Sequence, residues 1–294
     1  MRHLSIVLVC AALASGGVWA QSPAGFKVDA NWAQLPAGTS WNGNTTWITA
    51  DGKGQVIVLV RTAPYFRVFT RDGTFVKAFS SDVPFESAHS LTIDRQGFLW
   101  VTDSAAHAVY KLAPDGRLVM TLGKKGVAGD NTSRDLFNQP NHVAVAPTGD
   151  VYVSDGYVNA RVVQFSAAGQ FVRIIGGVKG SQPGQLQLPH GVALDSRGRL
   201  LVNDSDNQRV SVFDPAGTFV ESWPYPSRGG IEVSADDTVY ISDVNAGIVN
   251  VVKNGTRIDM VSADRAHGMG IDTDGSIYVS GASRMTVMKI SKAR

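Results

Sequence analysis

The sequence of 294 residues contains one cysteine, Cys10. It can therefore form no internal disulfide and no cysteine-based metal cluster. Neither charge sign predominates: 27 Lys and Arg stand against 25 Asp and Glu, a net charge of +2, and there is no basic run. That excludes the clustered positive footprint of a nucleic-acid partner. No window carries a sustained helical stripe between capping residues. Beyond the N-terminus there is no apolar run approaching the ~20 residues that span a bilayer. What is present is a globular composition, 44% hydrophobic with 31 glycines. It is ample for a sizeable core.

Met1-Arg2-His3 is a short basic start, Leu4 to Val18 is apolar, and Val18-Trp19-Ala20 places small residues where a signal peptidase reads. Residues 1–20 are expected to be a secretory signal peptide cleaved after Ala20. Cys10 lies inside the apolar core after Val9, so a lipid anchor on it is not expected. Cleavage removes the only cysteine, and an exported chain must then draw its stability from packing or a metal. A secreted or periplasmic protein, with residues 21–294 as one domain, is the expectation.

The rest of the chain is an internal repeat. Four segments align directly: His89 to Ser104 (HSLTIDRQGFLWVTDS), His142 to Gly156 (HVAVAPTGDVYVSDG), His190 to Ser205 (HGVALDSRGRLLVNDS) and His267 to Ala282 (HGMGIDTDGSIYVSGA). Weaker copies run from Trp47 to Arg61 and from Gly229 to Asp243. The matched end positions are Arg61, Asp103, Asp155, Asp204, Asp243 and Gly281, roughly 40 to 50 residues apart, the range of blade-type repeats. Within a unit, Val192, Leu194, Leu200 and Val202 alternate at period two around the turn Asp195-Ser-Arg-Gly198. Arg209 to Phe213 and Thr218 to Trp223 supply two further strands. Six such units predict an all-β, six-bladed β-propeller of four-stranded antiparallel blades. A linear solenoid would need shorter repeats and capped ends. The last unit runs out after its third strand, and Phe26 to Trp32 is the segment placed to supply the missing outer strand and close the ring.

The opening residues of the six units read Trp47, His89, His142, His190, Gly229 and His267. Of the six histidines, His3 lies in the leader, His107 lies elsewhere in a unit, and the other four share this one position. A single histidine there reads as a solvated loop residue. Four converging on one channel suit zinc, which takes three protein ligands and an open fourth position at catalytic sites. Asp94, Asp195 and Asp272 open D-x-x-G turns, and Asp103, Asp155, Asp204 and Asp243 recur at one strand end; both sets read as structural.

Asp155 to Ser166 (DGYVNARVVQFS), with Phe137 to Pro140 (FNQP), Pro183 to Asp195 (PGQLQLPHGVALD) and Leu99 to Leu112 (LWVTDSAAHAVYKL), resembles the peptidyl-α-hydroxyglycine α-amidating lyase family. The resemblance runs over roughly residues 45 to 294. It implies a six-bladed NHL-repeat propeller with a central zinc on His89, His190 and His267, and with Tyr157 and Arg61 as catalytic residues. The family's disulfide joins cysteines in two of these motifs; here Asn138 and Val158 replace both. The family has an aspartate for a structural calcium where this chain has Gly268, so a calcium held by the Leu91 backbone lacks its anionic oxygen. It has a substrate arginine where this chain has Ser205, and a carboxylate where this chain has His142. His142 either adds a fourth ligand or lines the channel.

The implied activity is a lyase that cleaves the N–Cα bond of an α-hydroxyglycine to an amide and glyoxylate, acting on a small-molecule or peptide substrate in the channel. Two rival readings remain. One is a non-catalytic NHL propeller binding a protein or peptide. The other is a lactonase-like hydrolase, whose metal is held by carboxylate and amide ligands absent from the six ring positions. The fold alone does not choose between them.

Overall fold

The computed structural model describes residues 25–41, 43–281 and 285–293. The expected leader, residues 1–20 with Cys10, lies outside them. No helix among the described residues is long and apolar enough to cross a membrane. Six four-stranded antiparallel sheets account for the fold.

Blade 1 is β2 (Thr45–Ala50), β3 (Gln55–Val60), β4 (Phe66–Thr70) and β5 (Phe75–Phe79). Blade 2 is β6 (Ala88–Ile93), β7 (Leu99–Asp103), β8 (Ala108–Leu112) and β9 (Leu118–Gly123). Blade 3 is β10 (His142–Val145), β11 (Val151–Asp155), β12 (Arg161–Phe165) and β13 (Phe171–Gly176). Blade 4 is β14 (Pro189–Leu194), β15 (Leu200–Asp204), β16 (Arg209–Phe213) and β17 (Phe219–Trp223). Blade 5 is β18 (Ile231–Val233), β19 (Thr238–Asp243), β20 (Ile248–Lys253) and β21 (Thr256–Ser262). Blade 6 is β22 (Ala266–Ile271), β23 (Ile277–Gly281), β24 (Val287–Lys292) and, on its outer edge, β1 (Phe26–Asp29).

The predicted closure strand is therefore present: Phe26 pairs with Lys292 and Val28 with Ile290. The innermost strands neighbour one another in sequence around the axis, and β2 meets both β6 and β22, which completes the ring. Alternating residues of each strand point to opposite blade faces. Each face is apolar and packs on the next blade, so there are six separate cores, one per interface.

The recurrent aspartates are structural. Asp103 accepts from the backbone N–H of Glu86 (2.7 Å) and Ser87 (2.8 Å). Asp204 accepts likewise from Gln187 (2.7 Å). Asp94 Oδ1 accepts from Gln96 and Phe98 N–H across its turn. Asp155 adds a fully buried ion pair with Arg161, whose guanidinium also donates to the carbonyls of Ser133 and Leu136. Truncating either partner would strand a buried charge.

The register corrects three equivalences drawn from the sequence, at Trp47, His142 and Arg61. In blades 2, 4 and 6 a β-bulge sits at His89, His190 and His267: Ala88 pairs with Asp103 but Ser90 with Thr102, and Ala266 with Gly281 but Gly268 with Ser280. In blade 1 Thr45 pairs with Val60 and Trp47 with Leu59, so the bulged residue is Thr46, not Trp47. In blade 3 His142 pairs with Ser154 as a regular strand residue, which leaves Asn141 at that position. The ring thus reads Thr46, His89, Asn141, His190, Gly229, His267. The same offset makes Val60, not Arg61, the counterpart of Asp103; Arg61 corresponds to Ser104 and Ser205, which make the same backbone hydrogen bond. A bulge adds one residue to a strand without changing its sequence pattern, so period-two alignment misplaces it by one.

The seam between blades 6 and 1 is held by more than β1. Trp32 is almost fully buried against Phe69 (5.6 Å between ring centroids) and Tyr278 (4.9 Å), and its Nε1 donates to the Arg71 carbonyl at 2.9 Å. Arg71 pairs with Asp272 of blade 6. Gly73, at φ +89°, lies so close beneath the Trp32 carbonyl that a Cβ there would clash with it at 1.7 Å. Trp32→Ala is expected to cost about 3–5 kcal/mol, the cost of truncating a buried aromatic. Urea unfolding of the variant beside a Val119→Ala surface control checks this; equal midpoints would place the seam's stability elsewhere.

Candidate active site

His89, His190 and His267 come from alternate blades and meet on the axis. Their ring centroids form a nearly equilateral triangle of 5.1, 5.0 and 5.1 Å sides. All three are buried, and one ligand atom from each lies within 4.8 Å of the others. The bulge turns each side chain inward from an otherwise regular strand.

Each ring is oriented by the blade that follows it. His89 Nδ1–H donates to the Asn141 carbonyl at 2.7 Å, His190 Nδ1–H to Gly229 at 3.3 Å, and His267 Nδ1–H to Thr46 at 3.1 Å. A carbonyl only accepts, so Nδ1 carries the proton and Nε2 keeps its lone pair for the centre. Burial, reinforced by neighbouring imidazoles, holds His89 and His190 well below the ordinary histidine range. Burial brings His267 down to about 4, helped by the charge of Arg61. Three neutral imidazoles with fixed tautomers are the donor set a transition-metal ion takes, and these three residues could hold one.

Tyr157 reaches the same point from the loop after β11. Its hydroxyl donates to His89 Nε2 at 2.8 Å and lies 3.5 Å from His190 Nε2. Gly156 brings it there: its N–H donates to Asn141 Oδ1 at 2.9 Å, and a Cβ at 156 would lie 1.9 Å from the Pro189 carbonyl oxygen. Partial burial raises the Tyr157 phenol above its usual value, while Arg61 and Arg228 pull it down. Arg61 is exposed at the rim, near enough for its charge to act on His89, His267 and Tyr157.

His142 is not part of this cluster. Its Nδ1 accepts from Val192 N–H at 3.2 Å, so Nε2 carries the proton and donates to Thr92 Oγ1 at 3.3 Å. Both nitrogens are engaged, and the ring stacks on Trp47 at 4.4 Å. This removes it as a fourth ligand: it lines the channel, beneath the triad. Trp47 also packs on His267 and His89 and floors the site. For calcium, the Leu91 side chain is buried in the core between blades 1 and 2, and position 268 supplies no carboxylate. A Cβ at Gly268 would lie 2.5 Å from Trp47 Cα, so the backbones approach too closely for a larger residue there.

Two contributors escaped the sequence reading. Asn141 orients both His89, through its carbonyl, and Tyr157, through its amide; the one-residue register offset hid it. Arg228, in the irregular segment before β18, acts on Tyr157 without any motif to mark it.

The fold and repeats define an NHL-repeat β-propeller: the NHL repeat model matches residues 137–165 and 186–213, in blades 3 and 4. Its sequence is similar to those of peptidyl-α-hydroxyglycine α-amidating lyases and of peptidyl-glycine alpha-amidating monooxygenases. It is 32% identical over 231 residues to peptidyl-glycine alpha-amidating monooxygenase B of Xenopus laevis, covering 70% of this chain and 26% of that protein. It is 29% identical over 246 residues to a Caenorhabditis elegans protein named "Probable peptidyl-alpha-hydroxyglycine alpha-amidating lyase", covering 76% and 69%. A third relative, human NHL repeat-containing protein 3, is 31% identical over 196 residues, covering 62% and 56%. The chain thus spans about a quarter of the monooxygenase's length. Among solved structures, virginiamycin B lyase from Staphylococcus aureus shares the fold, with TM-score 0.64 at 15% identity over 90% of this chain and 99% of that one.

The buried imidazoles make stability depend on pH. Their folded values lie below the ordinary ~6.5, so the unfolded chain takes up protons first as pH falls. Glu232, pushed up to about 8 by burial, works in the opposite direction below pH 8. Asp155, also raised by burial, acts in the same sense, but four lowered histidines outnumber the two carboxyls. The chelator-treated protein is therefore expected to be most stable near pH ~6.5 and to lose stability progressively toward pH ~4. A urea midpoint at pH 4.5 equal to that at pH 7 would contradict this.

Proposed function

We propose that this chain is a zinc-dependent lyase of the amidating type, which converts an N-acyl-α-hydroxyglycine to the primary amide and glyoxylate. The observation carrying the reading is the Tyr157 hydroxyl 2.8 Å from Nε2 of a buried three-histidine cluster whose Nδ1 atoms are all committed to backbone carbonyls. His89, His190 and His267 would hold the zinc, which as a Lewis acid lowers the pKa of an adjacent hydroxyl.

The chain's own residues account for the rest. The substrate carries N–H, hydroxyl and carboxylate on or next to one carbon. In the reaction the hydroxyl loses its proton, the C=O bond forms, and the N–Cα electron pair leaves on nitrogen. The nitrogen then takes up a proton, so the net change is one proton moved from oxygen to nitrogen. Tyr157 is placed to carry it: as phenolate it accepts the hydroxyl proton, and as phenol it returns it to the departing amide. Burial opposes the phenolate, and nearby positive charge supports it. Arg61 at the rim offers the substrate carboxylate a charged, bidentate partner. Trp47, fully buried, packs its ring on His142 and His267 beside the cluster.

Relatives named NHL repeat-containing protein 3 favour, as a second reading, a propeller that binds a peptide without chemistry. The two readings separate in one assay. Protein never exposed to chelator is expected to hold about one zinc per chain and to release glyoxylate from α-hydroxyhippurate; Tyr157→Phe is expected to keep the metal and lose about 10²–10⁴ in rate. Zinc-loaded wild type that makes no glyoxylate above background would reject the lyase, and a fully active Tyr157→Phe would reject the proton carrier.

A further inference from the structure

One position of the innermost strands sets blade 5 apart. By register its six equivalents are Thr49, Thr92, Ala144, Ala193, Glu232 and Gly270. Five are small, and the sixth is a carboxylic acid. Small side chains on neighbouring strands leave space between them. A cavity of about 880 Å³ opens here, and Thr92, Ala144, Ala193 and Glu232, from blades 2 to 5, all line it. None of His89, His190, His267, Tyr157 and Arg61 lines it, so it is separate from the candidate active site. His142 is in its wall, with both ring nitrogens already bonded within the protein.

The other carboxylates of the wall are engaged. Asp195 pairs with Arg199 at 2.7 Å, and Asp150 accepts from Gln164 Nε2 at 3.2 Å. Asp237 accepts from the N–H and the hydroxyl of Ser196, at 2.8 and 2.6 Å. Nothing among the described residues donates to Glu232, and burial alone raises its carboxyl to about 8. A carboxyl held this way costs the fold stability. Gln164, itself only 5% exposed, adds a second acceptor to the same wall, since its Oε1 has no partner. Val145, Leu194 and Val233 make other parts of the wall apolar.

Two acceptors without donors call for a ligand that carries N–H groups, and a carboxylate pairs best with a charged one. A calcium-type ion does not fit, because it takes about six to eight oxygens. Glu232 belongs to no cluster of three or more potential metal ligands among the described residues. The volume is that of a small-molecule site. We infer that this cavity binds a small organic ammonium ion with an apolar body, of the arylalkylamine type, with Glu232 as its anionic anchor. The inference is independent of the lyase reading. The ammonium donates to the Glu232 carboxylate, Gln164 Oε1 is free to take a further N–H, and the apolar body lies against the aliphatic wall. Arg95, exposed on the turn after β6, also lines the cavity and would draw an anion instead, so the test includes one.

Calorimetry on the full chain compares three probes of one shape: phenethylamine, 2-phenylethanol and phenylacetate. Phenethylamine is expected to bind about tenfold or more tightly than the other two, the equivalent of one charged hydrogen bond. Glu232→Gln is expected to abolish that preference while unfolding at a urea concentration no lower than wild type. Its zinc content and glyoxylate release are expected to match wild type, because the cavity excludes the histidine cluster. Equal binding of amine and alcohol overturns the inference, as does tightest binding of phenylacetate or a Glu232→Gln variant that still prefers the amine. A lowered urea midpoint would give the carboxyl a structural role, and a parallel loss of zinc would merge the two sites; either result also overturns it. Wild type that binds the amine but makes no glyoxylate removes the lyase and leaves the ammonium site.

Discussion

The site depends on one interaction used three times, an imidazole Nδ1–H donated across a blade interface to a main-chain carbonyl. A histidine ring on its own rotates and exchanges tautomers. Bonded to a carbonyl on the neighbouring blade, it has one orientation and one protonation pattern. The six blades alternate in role: blades 2, 4 and 6 present an imidazole, and blades 3, 5 and 1 present the carbonyl that aims it. This alternation gives a three-fold arrangement from a six-fold ring, and it explains why the sequence needs only three histidines on the axis.

The fold was legible because its signals are local. Period-two alternation, D-x-x-G turns and recurring end aspartates each report on a hairpin, and a hairpin is stabilised within a few residues of itself. The closure strand was legible by counting, since one unit had one strand too few. The centre was legible only in part. His89, His190 and His267 were found by their shared place in the repeat. His142 takes that place in a period-two alignment, because a β-bulge in four blades and its absence in blade 3 shift the alignment by one residue. Asn141, the residue actually at the ring position, went unnoticed although it fixes both His89 and Tyr157. Register is a property of paired strands and is not written in either strand alone.

Arg228 was hidden for a different reason. It belongs to no repeat position, and its charge acts on Tyr157 only once the ring has brought blades 3 and 5 together.

The seam has a further consequence. His267 belongs to blade 6 and the carbonyl that aims it to blade 1, so this contact crosses the junction that β1, Trp32 and the Arg71–Asp272 pair hold shut. The clasp of the ring and the third arm of the histidine cluster are the same structural event. An ion gripped by all three imidazoles would therefore act as a rivet between the first and last blades, and a sprung ring would have no grip on the ion. Occupancy and closure are linked by mass action: each lends the other its free energy, and neither can be titrated without moving its partner.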